Sequence, residues 1–269
     1  MTLAGKTILI TRAPHQAEEF VQKITQSGGI PFVFPTIEIA PPQSWEACDR
    51  ALDSLYMYDG LIFTSTNGVD FFWRRLTERG IAFEELHSKI MYAVGEKTKQ
   101  AIENHGCNVT IVPEKFTALD LGRTLQQEDL HGKCFLFPRG SLGNTFLADS
   151  LKLLHAQVDQ VIVYQTLRPK QENIDQLRVK LLSGGIDVAT FTSPSTVKNF
   201  AALFTPAEFN EIKQRTTIAV IGPVTAAAAE KIGLAVDIEA EQSSVDSLMQ
   251  ALLKYFQSDI HTKRSESVR

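Results

Sequence analysis

The chain repeats itself, and that repeat limits its folds more than any other feature. Asp59-Gly-Leu-Ile-Phe-Thr-Ser65 and Asp187-Val-Ala-Thr-Phe-Thr-Ser193 lie 128 positions apart, and Val69 and Phe72 fall on Val197 and Phe200 at the same spacing. Val94-Gly95 with Thr98 matches Ile221-Gly222 with Thr225, Gly106 matches Gly233, and Gly5-Lys6 with Arg12 matches Gly132-Lys133 with Arg139, all at 127 positions. One such match would mean little. Several blocks in order at a nearly constant spacing mean two copies of one unit. Half of a 269-residue chain is an ordinary domain length.

Inside each copy, short β-rich runs alternate with helical patterns. Lys6–Thr11 reads as a buried strand, followed by a helix with Ala17, Phe20, Val21 and Ile24 on one face and Gly28-Gly29 as its stop. Gly60–Phe63, Ile90–Val94, Val109–Val112 and Lys133–Phe137 are further strand candidates. Ile30–Ile39 reads as extended, but Pro31 and Pro35 argue against a central paired strand. The alternation predicts an α/β fold: two similar parallel-sheet domains with helices on both faces. His261–Arg269 has no apolar periodicity and reads as a disordered tail.

Composition closes off several function classes. The formal net charge is −4, so the basic field that nucleic-acid binding needs is missing. No apolar run reaches membrane-spanning length and no signal-peptide pattern precedes Lys6, which leads to the expectation of a soluble, cytoplasmic protein without membrane partners. Cys48, Cys107 and Cys134 are widely spaced and read as free thiols packed as small hydrophobes. The histidines lack metal-ligand spacing. The chain contains no G-x-S-x-G elbow, Walker A loop or G-x-G-x-x-G fingerprint, which disfavours serine hydrolases, P-loop enzymes and dinucleotide oxidoreductases. Catalysis by positioning stays open.

In open parallel sheets ligands sit beyond the C-terminal ends of the strands. Those ends here read Thr11-Arg12, Thr64-Ser65-Thr66-Asn67-Gly68, Gly95 to Thr98, Arg139-Gly140-Ser141, Thr192-Ser193-Pro194-Ser195 and Gly222-Pro223-Val224-Thr225. Each is expected to open a helix, so unsatisfied N–H groups and the positive dipole end point toward a bound anion. Plain N-capping explains the same residue types, and the two roles are compatible. Arg12 and Arg139, equivalent in the repeat, suit either carboxylate binding or surface ion pairs.

The ordered set of motifs resembles the uroporphyrinogen-III synthase family. The residues that carry the likeness are Thr7-Ile-Leu-Ile-Thr11-Arg12, Asp59 to Val69, Tyr92-Ala-Val-Gly95 with Thr98, Val161-Ile-Val-Tyr164-Gln-Thr166, Asp187 to Val197, and Ile218 to Pro223 with Thr225. The likeness spans about residues 5–257; one departure is Ala13 after Thr11-Arg12, with proline only at Pro14. It implies flavodoxin-like domains joined by two extended strands around Phe34–Ile39 and Tyr164–Pro169, with a cleft between them. The domains would be 1–37 plus 167–260, and 38–166. It further implies a lyase that takes hydroxymethylbilane, a linear tetrapyrrole with eight carboxylates, and closes it with loss of water and inversion of the last ring through a spiro intermediate. No cofactor or metal is implied, and the protein is expected to be monomeric. The enzyme that supplies hydroxymethylbilane is a candidate partner. Tyr164 is the implied catalytic residue, as a proton or hydrogen-bond donor to the departing hydroxyl; from its strand alone it would read as a packed aromatic. The implied substrate-binding set is Thr11, Arg12, Thr64, Ser65, Asn67, Gly95, Thr98, Arg139, Thr192, Ser193, Ser195, Gly222, Pro223 and Thr225. A hinge-closing binder of small anions is the alternative from another class.

Overall fold

The computed structural model describes residues 2–113, 118–126, 128–142, 146–170 and 173–266. They divide into two compact units, Met1–Glu38 with Leu167–Arg269, and Ile39–Thr166.

The first unit contains β1 (Thr7–Ile10), α1 (Pro14–Gln26) and β2 (Ile30–Val33). After the second unit the chain returns with α7 (Ile174–Leu182), β8 (Val188–Phe191), α8 (Pro194–Ala201), α9 (Pro206–Arg215), β9 (Thr217–Val220), α10 (Pro223–Glu230), β10 (Ile238–Glu239) and α11 (Val245–Glu266). The sheet order is β10-β9-β8-β1-β2, with every neighbouring pair parallel. Successive side chains of β1 feed opposite faces. Ile8 and Ile10 pack with Phe20, Ile24 and Leu248, while Leu9 packs with Phe191, Val197 and Phe200. Both faces are covered, which is why β1 and β8 are buried along nearly their whole length and rich in apolar residues. The proline-bearing β2 is an edge strand, where Pro31 removes no ladder donor that the fold needs.

The second unit contains β3 (Glu38–Ala40), α2 (Glu46–Asp53), β4 (Gly60–Phe63), α3 (Thr66–Arg79), β5 (Ile90–Ala93), α4 (Glu96–Glu103), α5 (Ala118–Leu125), β6 (Cys134–Gly140), α6 (Phe146–Leu153) and β7 (Gln157–Leu167). Its order is β3-β7-β6-β4-β5, and β4 through β7 pair in parallel. The run Val109–Val112 contributes one parallel bridge, Tyr92 to Ile111, rather than a strand. In the first unit β10 is only two residues long, and Ala219 pairs with Ile238. Those two pairings are 127 positions apart residue for residue, so the repeat holds at the level of register. Edges this short expose few unpaired backbone groups.

The repeat also duplicates a polar clamp. Asp187 accepts from Lys6 Nζ and the Thr7 N–H, each at 2.8 Å. Asp59 accepts from Lys133 Nζ at 3.0 Å and the Cys134 N–H at 2.8 Å. The Cys134 N–H, helped by Lys133, holds the Asp59 carboxyl below the usual carboxylate range. A lowered folded pKa stabilises the protein above the unfolded value, near pH 4, and that stabilisation disappears as pH falls through the folded value. Asp59→Asn is therefore expected to cost about 1 kcal/mol at neutral pH, because both side chains of the pair keep a third or more of their exposure, and less near pH 3. Urea midpoints at the two pH values check this; an equal loss at both would refute it.

Helix α11 runs to Glu266, so His261–Glu266 are helical where the sequence predicts a disordered tail; residues 267–269 lie outside those described. Extending a helix already nucleated on packed turns costs little per residue, even for polar sequence. Among the described residues, no helix is long and apolar enough to cross a membrane.

Candidate active site

In the second unit four strand ends assemble polar groups. β4 delivers Thr64 and Ser65, both half-buried. Ser65 is the N-cap of α3, its Oγ accepting the Gly68 N–H at 3.1 Å. β5 leads to Gly95, which has φ 88° and starts α4, a conformation that costs a side-chain-bearing residue dearly. Thr98, in the first turn, is buried and donates its N–H to the Gly95 carbonyl. Asn67 is half-buried in the first turn of α3.

β6 brings Arg139 to the same end. Its pairing with β7 shifts register between Arg139 and Gly140, so Arg139 faces Ile162 and Gly140 faces Tyr164. Such a bulge re-aims side chains. Arg139 is only 8% exposed. Its Nη1 donates to Gln160 Oε1 at 2.7 Å, while its Nε finds no partner among the described residues. Burial lowers its pKa, and the neighbouring Tyr164 opposes that shift. A buried guanidinium whose one hydrogen-bonded neighbour among the described residues is a neutral amide is an incomplete ion pair, and an arriving carboxylate completes it.

Tyr164 sits on β7 with its ring against Phe71, centroids 5.9 Å apart, and its hydroxyl 3.1 Å from Ser65 Oγ. Gly140 lies directly beneath the ring. Tyr164, Ser65 and Arg139 are thus brought together.

In the first unit the corresponding ends are Thr11-Arg12, Thr192 to Ser195 and Gly222 to Thr225. Ser193 caps α8 in a capping box with Thr196, and Pro194 takes the first helical position. Thr192 and Ser195 are half-buried beside it. Gly222 caps α10, whose first residue, Pro223, is exposed; a Cβ on Gly222 would stand 2.7 Å from Ser243 Oγ. Thr225 is buried in that first turn. The Arg12 Nε is buried without a partner among the described residues, and burial lowers its pKa against the pull of Glu19. Among the described residues neither arginine forms the surface ion pair that its residue type allowed.

Thr11 differs from its expected role. It is fully buried, and its hydroxyl donates to the Thr190 carbonyl at 2.7 Å, while Thr190 returns a 2.7 Å bond to the Leu9 carbonyl. Its hydroxyl ties β1 to β8 and is not available to a ligand. Sequence reasoning named Gly140 only as part of a strand end, and it missed Gln160 and Asn199. The Asn199 amide donates to the Thr36 carbonyl at 2.8 Å and accepts from Arg168 Nε at 2.9 Å, clipping together the chain segments that leave and re-enter this unit. A glycine inside an apolar strand signals close approach, so Gly140 was legible; nothing local marks Asn199.

Comparison with known proteins joins this geometry to a family. The family model described as uroporphyrinogen-III synthase HemD matches residues 18–250. A uroporphyrinogen-III synthase of Chlorobaculum parvum is 35% identical, over 92% of this chain and 98% of its own. One of Synechococcus elongatus is 31% identical, over 93% and 95%. The fold is that of a uroporphyrinogen III synthase crystal structure from Thermus thermophilus, a mutant form, with a TM-score of 0.69 at 19% identity over 94% of this chain and 100% of that one. It is likewise that of the Helicobacter pylori uroporphyrinogen-III synthetase, with a TM-score of 0.61 at 18% identity over 95% and 100%. A match across most of the chain, on a fold whose strand ends carry these groups, places the protein in the uroporphyrinogen-III synthase family.

Proposed function

We propose that the chain is a lyase that cyclises hydroxymethylbilane to uroporphyrinogen III, in haem and related tetrapyrrole biosynthesis. The observation that carries the chemistry is the Tyr164 hydroxyl, held at Ser65 near the buried Arg139, whose Nε has no partner among the described residues. A protonated phenol donates to the leaving hydroxyl. The C–O bond breaks, water departs, and the pyrrole nitrogen's electrons make an azafulvenium cation. The far pyrrole attacks through its substituted carbon to form the spiro intermediate, which breaks and recloses with the last ring inverted. The proton lost when the final pyrrole regains aromaticity returns to the phenolate, so the only net by-product is water.

Each unit offers its own anion-binding turns to the eight carboxylates. Arg12 and Arg139 supply guanidinium groups. Thr64, Ser65, Asn67, Gly95 and Thr98 in one unit, and Thr192, Ser193, Ser195, Gly222, Pro223 and Thr225 in the other, frame helix N-termini whose first N–H groups lack intrahelical acceptors. Many such donors can hold a polyanion on a chain whose net charge is −4. The reaction has no net oxidation or reduction, which supports a cofactor-free enzyme. In this reading it acts as a monomer in the cytoplasm, receiving its unstable substrate from the enzyme that makes it.

The test is product-isomer analysis. Freshly prepared hydroxymethylbilane is given to the purified protein in the presence of a chelator, and the oxidised products are separated by chromatography. Predominant type III isomer is expected. Type I alone, at the rate seen without protein, would make the chain a binder of anions rather than a synthase.

A further inference from the structure

The duplication supplies an internal control on Tyr164. At the repeat spacing, Tyr164, Gly140 and Gly68 fall on Ile37, Ala13 and Thr196, whereas Ser65 falls on Ser193. Both serines cap a helix, through the Gly68 N–H at 3.1 Å and the Thr196 N–H at 3.3 Å. In the first unit the Thr196 side chain closes a capping box by accepting the Ser193 N–H. In the second unit that position is glycine, and a Cβ there would stand 3.3 Å from both Ser65 Oγ and the Pro138 carbonyl. Ser65 Oγ turns instead to the phenol, 3.1 Å away. A Cβ on residue 140 would come within 2.5 Å of Tyr164 Cζ and 2.8 Å of its hydroxyl. Among the positions that differ between the copies, Gly140 lies against the phenol of Tyr164, and Gly68 lies beside the Ser65 oxygen that reaches it.

We infer that Ser65 is a positioning residue for Tyr164, with Gly68 and Gly140 kept small to admit the contact. The inference rests on the proton-donor reading of Tyr164 given above. Ser65 Oγ already accepts from Gly68 and lies at the positive end of α3. Both influences draw electron density from the oxygen and favour its own O–H as a donor to the phenol. The phenol accepts that bond, so its proton is directed to the leaving hydroxyl. When the proton has moved to the departing water, the Ser65 hydroxyl stabilises the phenolate until the proton shed at the reforming pyrrole restores it.

The experiment combines kinetics with a direct view of the phenol. Ser65→Ala, Ser65→Thr and Gly140→Ala are each made alone and with Tyr164→Phe, in protein labelled with 13Cζ-tyrosine. The Tyr164 resonance is identified by its loss in Tyr164→Phe. Ser65→Ala is expected to lower kcat about tenfold with KM within about twofold, and Ser65→Thr to keep most of the turnover. In the Tyr164→Phe background Ser65→Ala should cost less than about twofold more. The Tyr164 resonance should move in Ser65→Ala and Gly140→Ala and stay in place in Ser65→Thr. An unmoved resonance, or the same fold loss from Ser65→Ala in both backgrounds, overturns the inference. Full turnover in Tyr164→Phe with a moved resonance overturns the proton-donor reading instead and leaves the contact standing. Ser65→Thr and Gly140→Ala keep the α3 cap, so the test survives if Ser65→Ala does not fold.

Discussion

Arg139→Met is expected to raise KM for the linear tetrapyrrole between about tenfold and a hundredfold while leaving the fold as stable as before, or more so. The two effects have opposite signs because they have one cause. Arg139 is 8% exposed, makes one hydrogen bond to Gln160, and has a buried Nε without a partner among the described residues. Folding desolvates this cation without giving it an anion among the described residues, so removing the charge relieves a cost. Gln160 is half-buried, and water can take over its freed oxygen. A bound carboxylate would instead gain a charge-assisted bond of roughly 1.5–3 kcal/mol, which the methionine variant forfeits. Arg139→Lys should recover only part of the affinity, since an ammonium cannot reproduce the planar fork. Steady-state kinetics and urea midpoints on the same preparations check both signs. An unchanged KM, or destabilisation as large as a core truncation, would make Arg139 a structural residue.

The largest loss of stability is expected from Phe63→Ala, at about 3–5 kcal/mol. Phe63 is fully buried at the end of β4, with ring centroids 5.6 Å from Phe72 and 5.4 Å from Trp73. Phe72 and Trp73 are also 5.7 Å from each other, so the three rings form a mutually packed cluster, and a site lined by rings collapses poorly around a void. Against a typical total of roughly 5–15 kcal/mol, such a loss puts the whole unit at risk. Both tryptophans, Trp45 and Trp73, belong to this unit, so urea titration by tryptophan fluorescence reads it directly. The repeat equivalent, Phe191, is also fully buried and packs 5.2 Å from Phe200, so Phe191→Ala should cost a similar amount by far-UV circular dichroism. A cost below about 1.5 kcal/mol in either would show a core that repacks around the void.

Much of the architecture was legible because a duplication prints itself twice. The spacing of 127 positions reappears in the Tyr92–Ile111 and Ala219–Ile238 pairings. Pro31 correctly argued against a central strand, and β2 lies at an edge. The cysteines are free thiols, and burial pushes all three up, Cys48 to about 12, as suits residues packed as hydrophobes. The candidate site was legible as a set of strand-end turns but not in its internal wiring. Residue type could not tell Thr11, sealed between β1 and β8, from the half-buried Ser65 and Thr192, because a hydroxyl bonded to a neighbouring strand looks the same in sequence as one that faces solvent. The Ser65–Tyr164 contact joins residues 99 apart, and the Arg139–Gln160 contact depends on β6–β7 pairing. Both follow from tertiary register, which no local pattern encodes.

The clamp between Asp187 and the start of β1 spans 180 positions of chain. β1 sits between β8 and β2 in its sheet, so its inner ladder cannot form until β8 has been made. During synthesis at roughly 5–20 residues per second, the β1–α1–β2 segment therefore waits on the order of 10–40 seconds for its partner. Ile39–Thr166 is continuous and emerges complete within that interval. Vectorial synthesis thus lets the inserted unit fold first, while the amino-terminal segment, with its apolar strand uncovered, is a substrate for chaperones until the carboxy-terminal half arrives.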